Sequence, residues 1–511
     1  MNHLKSQIVT QLTLDDDFNV PDVNADIDKY ITSDALVHTE SVKVSEGKAN
    51  VRGKMDFKIL YSSNEDDKMV HSMGNTISFD EVINGDNLAS NDVVNVKCCI
   101  DDLNIGIINT RKISVKAVIT LTLSAEEMQD IDTVDEISDD SSVNYLRKKE
   151  QILQIVVNKK DTYRVREDIE LPANKPNISD ILWSSVTLNN ISTRLFQDKV
   201  GVSGELVLFM MYDGEEEDTP VQWVESTVPF DGGIDVAGCE EGMIGDIEAC
   251  ISNISVNLKP DYDGEPRMIE LEAVLELVMR VYREDEVNIL EDMYSLKNEL
   301  TPVYQNVSYS KLIMKNISHC KINDKLKLDK DNGHILQLLS AQGIATVEDT
   351  TVEKQGIRAE GIVKMKIMYV SSDDKMPLNI ADEVVPFSYL IEADGVTETS
   401  MSYIRPSLEQ ISIVMSGNNE IEVKCSVVLD ALIMESCQSN FITEVNCVPI
   451  NLQKLQSIPS IAGYVVKEQD TLWKIAKKYS TTIGSIMKTN EMKSENVKKG
   501  DMLVIIKGTP S

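Results

Sequence analysis

The 511-residue chain is poor in the side chains that most often do chemistry. Its five histidines, His3, His38, His71, His319 and His334, lie far apart and without HExxH or HxH spacing, which removes the usual zinc-enzyme patterns. It has no GxxxxGK[ST] phosphate loop and no GxSxG elbow. The acidic clusters Asp213 to Asp218 and Asp261 to Glu265 lack EF-hand spacing and read as solvated turns. Neither a metal, a cofactor nor an enzymatic activity is expected.

The eight cysteines, Cys98, Cys99, Cys239, Cys250, Cys320, Cys425, Cys437 and Cys447, form no CxxC pair. At this length they do not read as a disulfide framework; free, mostly buried thiols in a reducing compartment are expected. No window approaches the ~18 apolar residues of a membrane span. The start, MNHLKSQIVTQLTLDDDF, lacks the continuous apolar core of a signal peptide, so a cytoplasmic location is expected. Basic residues are outnumbered, 50 Lys and Arg against 84 Asp and Glu, for a net charge of −34. Such acidity argues against nucleic acid or anionic membrane as partner.

What is present is enough apolar residue, 42% of the chain, to build several cores. The charge is uneven: residues 461–511 hold 9 Lys against 5 Asp or Glu, a balance of +4, and the other 460 residues carry −38. A basic tip on an acidic body reads either as a site for an acidic partner or as a solvated helical face.

A long-period repeat runs through the acidic part. Gly53, Gly204 and Gly361 are each followed after eight residues by tyrosine (Tyr61, Tyr212, Tyr369) and after 26 by phenylalanine (Phe79, Phe230, Phe387). Each is preceded by 26 residues by isoleucine (Ile27, Ile178, Ile335) and by 33 by an aliphatic (Val20, Leu171, Leu328). The period of about 150 residues means tandem globular domains rather than a solenoid. After each glycine, apolar residues alternate: Met55, Phe57, Ile59, Tyr61; Leu206, Leu208, Met210, Tyr212; Val363, Met365, Ile367, Tyr369. Period two predicts a strand with one buried face. A later strand alternates too (Ile113, Val115, Ala117; Ile269, Leu271, Ala273; Ile421, Val423, Cys425), and turn-like residues ahead of it predict a hairpin arm. The expected fold is mainly β with a small α+β module: three tandem β-sandwich-like repeats over 1–137, 143–298 and 299–456, then a βααβ module over 461–508. Asp130 to Ser142 reads as a linker, with further junctions near Asn298 to Pro302 and Leu452 to Ser460. The other face of the first alternating strand is mixed in copy one (Asp56, Lys58, Leu60) and copy three (Lys364, Lys366, Met368) but apolar in copy two (Val207, Phe209, Met211). Phe209 is therefore expected to meet another repeat, another subunit or a second layer of its own domain.

The motif Val20-Pro21-Asp22 with Asp26-Ile27, followed by the glycine–tyrosine strand, resembles the SPOCS domain of spore-coat proteins in spore-forming Firmicutes. Copy two keeps Leu171-Pro172 and Pro176-Asn177-Ile178; copy three departs, with Leu328-Asp329-Lys330 and Gly333-His334-Ile335. The tail from Tyr464 to Ile506 resembles a LysM module. Asp470 or Thr471 can cap a helix whose apolar face is Leu472, Ile475, Ala476 and Tyr479. Ile483, Ile486, Met487 and Asn490 repeat the spacing, and Leu503 to Ile506 returns as a strand.

The LysM resemblance implies a ligand groove between two loops, here Gln469, Asp470, Thr471 and Leu472 on one side and Asn490, Glu491 and Met492 on the other. Gln469 stands where that family usually has glycine, and Lys499 where it usually has proline; a side chain at 469 is expected to crowd an acetamido sugar, which favours a polypeptide ligand. Trp473 falls outside the apolar stripe and reads either as packing or as an interface anchor. Ile461, at the module's edge, reads as linker packing or as contact surface, and Lys454, Lys477 and Lys478 can steer an acidic partner. Repeated SPOCS domains closed by one LysM resemble the architecture of clostridial spore-coat morphogenetic proteins. That resemblance implies a mother-cell scaffold at the forespore surface and spore coat. It would be tethered by its LysM to stage IV sporulation protein A, the coat basement-layer ATPase, with other coat proteins and self-association as further contacts. A cell-wall protein binding peptidoglycan or chitin-type glycan is the alternative; a hydrolase with a LysM targeting tail is weaker still.

Overall fold

The alternating segments form long antiparallel strands, and each repeat folds six of them into two three-stranded sheets. The structure is a computed structural model, and it describes the chain apart from residues 1, 64–69, 129–130, 138–141, 216–220, 329–332, 374–376, 418, 452, 454–456 and 509–511. In the first repeat, β1 (Asn2–Asn19), β6 (Lys112–Met128) and β5 (Val93–Asn109) make one sheet in that order. Strands β2 (Lys29–Ser45), β3 (Lys48–Ser62) and β4 (Val70–Asn84) make the other. The second repeat matches it with β7 (Val143–Glu170), β12 (Met268–Ser295) and β11 (Ile244–Lys259) beside β8 (Ile178–Phe196), β9 (Lys199–Gly214) and β10 (Gln222–Asp235). The third has β13 (Asn298–Lys327), β18 (Glu420–Pro449) and β17 (Ser400–Gly417) beside β14 (Ile335–Glu353), β15 (Gly356–Ser371) and β16 (Leu378–Glu392). Both alternating series face inward: Met55, Phe57, Ile59 and Tyr61 meet Ile113, Val115 and Ala117 in one core, and the other two repeats do likewise. Among the described residues no helix is long and apolar enough to cross a membrane.

The spacing between glycine and phenylalanine has a mechanical origin. Gly53, Gly204 and Gly361 lie directly across the ladder from Phe79, Phe230 and Phe387. On their other side the partner strands β2, β8 and β14 carry a bulge at Thr39/Ser41, Asn189/Ser192 and Val347/Asp349. Ring and bulge together leave no room for a side chain.

The segment before β2 is locked by an arginine two residues ahead of the inward-facing series of β6. The Arg111 guanidinium donates to the carbonyls of Val20 (3.2 Å), Pro21 (3.0 Å) and Asn24 (2.7 Å); Arg267 does the same for Leu171 (3.4 Å), Pro172 (2.9 Å) and Lys175 (2.9 Å). The third repeat lacks the arginine. Asn419, in a left-handed conformation (φ 60°), donates from its side-chain amide to the Gly333 carbonyl at 2.9 Å. The carbonyls of Arg111, Arg267 and Asn419 each accept the backbone N–H of Val20, Leu171 or Leu328 at 2.9 Å. Copy three thus keeps the backbone bond to Leu328, while its Asn419 side chain holds a different carbonyl, that of Gly333.

The three sandwiches close on one another. Leu60 and Val70, Phe209, Trp183 and Met211, and Met368 and Leu378 form one apolar cluster drawn from all three repeats. Phe209 therefore meets the neighbouring repeats of its own chain. Five residues after each repeat glycine stand Lys58, Phe209 and Lys366. Lys58 donates to the Ser184 carbonyl in repeat two, and Lys366 to the Ser33 carbonyl in repeat one at 2.5 Å. Gln342 of repeat three bonds the Ser185 hydroxyl. Burial pushes the Lys58 ammonium below its usual pKa, against the pull of Asp34. A further chain of ion pairs crosses all three repeats: Lys97 to Glu248 (2.5 Å), Glu248 to Arg405 (3.7 Å), and Arg405 to the buried Asp246 (2.6 Å).

The first and last strands of repeats two and three outrun their sandwiches. Val143–Val157 pairs with the far end of β12, and Asn298–Leu312 with the far end of β18, making two ribbons. The ribbons pack through Ile152, Ile289, Val307, Tyr309 and Phe441, with Leu290, Met293 and Ile442 beyond. The expected linker joins them: Ile131, Val134 and Ile137 pack on this layer, and the Val134 N–H donates to the Ile442 carbonyl at 2.9 Å. The expected junction at Asn298 to Pro302 is part of continuous β13; only Leu296 and Lys297 separate β12 from it. All eight cysteines are free, but only Cys239, Cys320 and Cys425 are buried, which corrects the expectation of mostly buried thiols.

Candidate partner-binding site

The terminal module is a strand–helix–helix–strand unit. Strands β19 (Ile461–Val465) and β20 (Met502–Ile506) pair antiparallel, with Ile461 opposite Ile506 and Val465 opposite Met502. Helix α1 (Leu472–Lys478) is capped by Thr471, whose hydroxyl accepts the Lys474 N–H at 3.2 Å; α2 (Ile483–Thr489) is capped in the same way by Thr482. Leu472, Ile475, Ala476 and Ile486 are buried against Leu503 and Ile505 of β20. The cap belongs to Thr471 because Asp470 is engaged elsewhere. Its carboxylate accepts the Lys467 N–H and the Tyr464 hydroxyl, both at 2.8 Å, and these bonds, the backbone one first, hold its pKa below the usual carboxylate value.

The two loops that the LysM resemblance points to are shaped by backbone. Gln469 and Glu491 both take the left-handed conformation, at φ 67° and 54°, and both side chains are exposed. That explains why glycine suits position 469: L residues with a Cβ pay steric strain there. Asn490 ties the second loop to β20, donating to the Val504 carbonyl and accepting the Val504 N–H, each at 2.7 Å. Met492 is half-buried against the module core. Gln469 and Asp470 thus stand in the loop before α1 and Asn490 and Glu491 in the loop after α2, while Leu472 lies in the core. Lys454 lies outside the described residues. Lys478 sits over the rings of Tyr464 and Tyr479, 5.3 and 5.5 Å from their centroids.

Trp473 faces the body of the chain. Its indole N–H donates to Asp292 Oδ2 at 2.7 Å, and its ring meets Tyr294 edge-on with centroids 4.9 Å apart. Lys477 pairs with the other Asp292 oxygen at 2.6 Å, and the Tyr294 hydroxyl donates to the Thr481 carbonyl at 2.8 Å. The module is therefore docked by its α1 side on the end of the β12 ribbon.

The outer face of the terminal sheet is exposed among the described residues. On the outer face of the β19–β20 sheet stand Ile461 (68% exposed), Val465 (55%), Met502 (83%), Val504 (47%) and Ile506 (44%), with Gly463 between them. Five adjoining apolar side chains on one face differ from the singly scattered exposed residues of an ordinary surface. Of these, sequence reasoning singled out Ile461 alone. The signal was available: β20 reads Met-Leu-Val-Ile-Ile, apolar at every position, so both its faces are apolar.

The family described as "SipL, SPOCS domain" matches residues 26–108, 177–259 and 334–416, and the LysM domain family matches 464–505. Each SPOCS match spans the strands equivalent to β2–β5 and leaves out the first and last strands that complete the second sheet. The curated LysM domain-containing GPI-anchored protein 1 of Arabidopsis thaliana is 48% identical over 50 residues, which cover 10% of this chain and 12% of that protein. No solved structure matches the chain. These domains support a coat-associated or cell-wall-binding protein built from non-catalytic families.

Proposed function

Since the chain belongs among the SipL-like proteins, with three SPOCS domains ahead of one LysM domain, we propose that it is a non-enzymatic scaffold of spore-coat assembly. It works in the mother cell, where the LysM module tethers it to stage IV sporulation protein A on the forespore surface and the triple-sandwich body gathers other coat proteins. The observation that carries this reading is the outward apolar face of Ile461, Val465, Met502, Val504 and Ile506. A face of this kind suits a polypeptide surface, because it offers no outward hydrogen-bonding side chain to a sugar. The exposed Gln469, standing where a LysM module usually has glycine, supports the same reading by adding bulk to that loop. The second reading, a glycan-binding wall protein, is favoured by the likeness of the module to a plant LysM protein.

Removing residues 461–511 tests the tether. The full chain is expected to retain stage IV sporulation protein A from sporulating-cell extract and the truncated chain to lose it. Retention by both would reject the tether, and saturable capture on peptidoglycan by the full chain alone would favour the second reading.

A further inference from the structure

Asp292 and Tyr294 are alternate residues of β12, and Leu296 follows just beyond the strand; all three meet the LysM module. Alternate residues of an extended segment point to one side, so this is a strand read by its side chains. Each is matched. Asp292 gives one oxygen to the Trp473 indole N–H and the other to Lys477. Tyr294 lays its ring on Trp473 and its hydroxyl on the Thr481 carbonyl. Leu296 lies over Gly508, where an added Cβ would sit 3.3 Å from Leu296 Cδ1. The charges agree as well, a +4 module on a −38 body.

We propose that the Trp473 face of the module is a recognition site for an extended acidic segment of the form Asp-x-Tyr-x-Leu, filled in this chain by its own β12. The contact is a latch. It holds the module in one orientation, keeps the tryptophan face from outside ligands and leaves the apolar sheet face open. It does not depend on the identity of any partner.

The test uses the full chain carrying 5-fluorotryptophan, in which Trp183, Trp223 and Trp473 report separately by fluorine NMR. Asp292→Asn, which keeps the side-chain volume, and Lys477→Glu, made from the module side, should each move the Trp473 resonance toward its solvent-exposed position and leave the other two in place. The octapeptide Ile-Leu-Glu-Asp-Met-Tyr-Ser-Leu, the chain's own 289–296 segment, should then return the Trp473 resonance of an Asp292→Asn, Tyr294→Ala chain toward its docked position. Wild type should need at least about tenfold more peptide, since its site is already filled, and a peptide with Asn for Asp should fail. A Trp473 resonance unmoved by both Asp292→Asn and Lys477→Glu would overturn the latch. Opening without rescue by the octapeptide would overturn the recognition site.

Discussion

Phe79 fills the space that a side chain on Gly53 would need: a Cβ built there would lie 2.4 Å from Phe79 Cζ and 2.5 Å from the His38 carbonyl oxygen. The same relationship recurs in each repeat with graded tightness. The nearest backbone oxygen would be 2.2 Å from a Cβ at Gly361, against 3.2 Å at Gly204. Alanine at these glycines should therefore destabilise its own repeat by about 1–3 kcal/mol, as overpacking does. Gly361→Ala should be the most severe and Gly204→Ala the mildest, read from denaturant midpoints.

Phe209 joins the repeats to one another. Phe209→Ala should lower stability by about 3–5 kcal/mol, in the range of buried aromatic truncations. Because its neighbours Leu60 and Met368 belong to other repeats, the loss should also raise hydrogen exchange at Leu60 and Met368. A change confined to repeat two would contradict the closed arrangement.

Glu150 links the two ribbons. Its carboxylate pairs with Lys311 at 2.6 Å and Lys148 at 3.1 Å, and these bonds, Lys311 first, hold its pKa at about 2 against the effect of burial. A carboxylate depressed in the folded state contributes stability that is complete above its unfolded pKa of ~4.3 and is lost as pH falls toward the folded value. Ribbon packing should therefore weaken between about pH 4.3 and 2, and Glu150→Gln should flatten that part of the stability profile. Denaturation midpoints measured across this range check it.

Gln469 holds a left-handed backbone conformation in the loop before α1. Gln469→Gly should stabilise the module by up to about 1 kcal/mol, the relief of strain being partly offset by glycine's larger entropy loss. If its side chain is what excludes sugar, the same variant should gain affinity for chitin oligomers, measured by calorimetry.

The sandwiches and the LysM helices were legible because their signals are local: period-two alternation beside the repeat glycines, and the Leu472, Ile475, Ala476 stripe. The closure of the repeats was signalled only by the apolar face around Phe209, since Lys58 and Lys366 look like solvent-facing residues while their long stems cross to Ser184 and Ser33. The arginine lock was hidden in what reads as a turn, and the docked tryptophan depends on Asp292, 181 residues away. The two loops that carry Gln469, Asp470, Asn490 and Glu491 came from the resemblance to a LysM module. The outward apolar face needed the pairing of Ile461 with Ile506 and Val465 with Met502 to be seen as one surface.

The most direct test is the affinity of the purified full chain for stage IV sporulation protein A, compared with a Met502→Glu, Val504→Glu chain. Both side chains point outward from β20, so the module should keep its fold and its melting profile. The account predicts at least a hundredfold loss of binding, as expected where buried interface anchors become unpaired charges. Unchanged affinity in the folded double variant would contradict it.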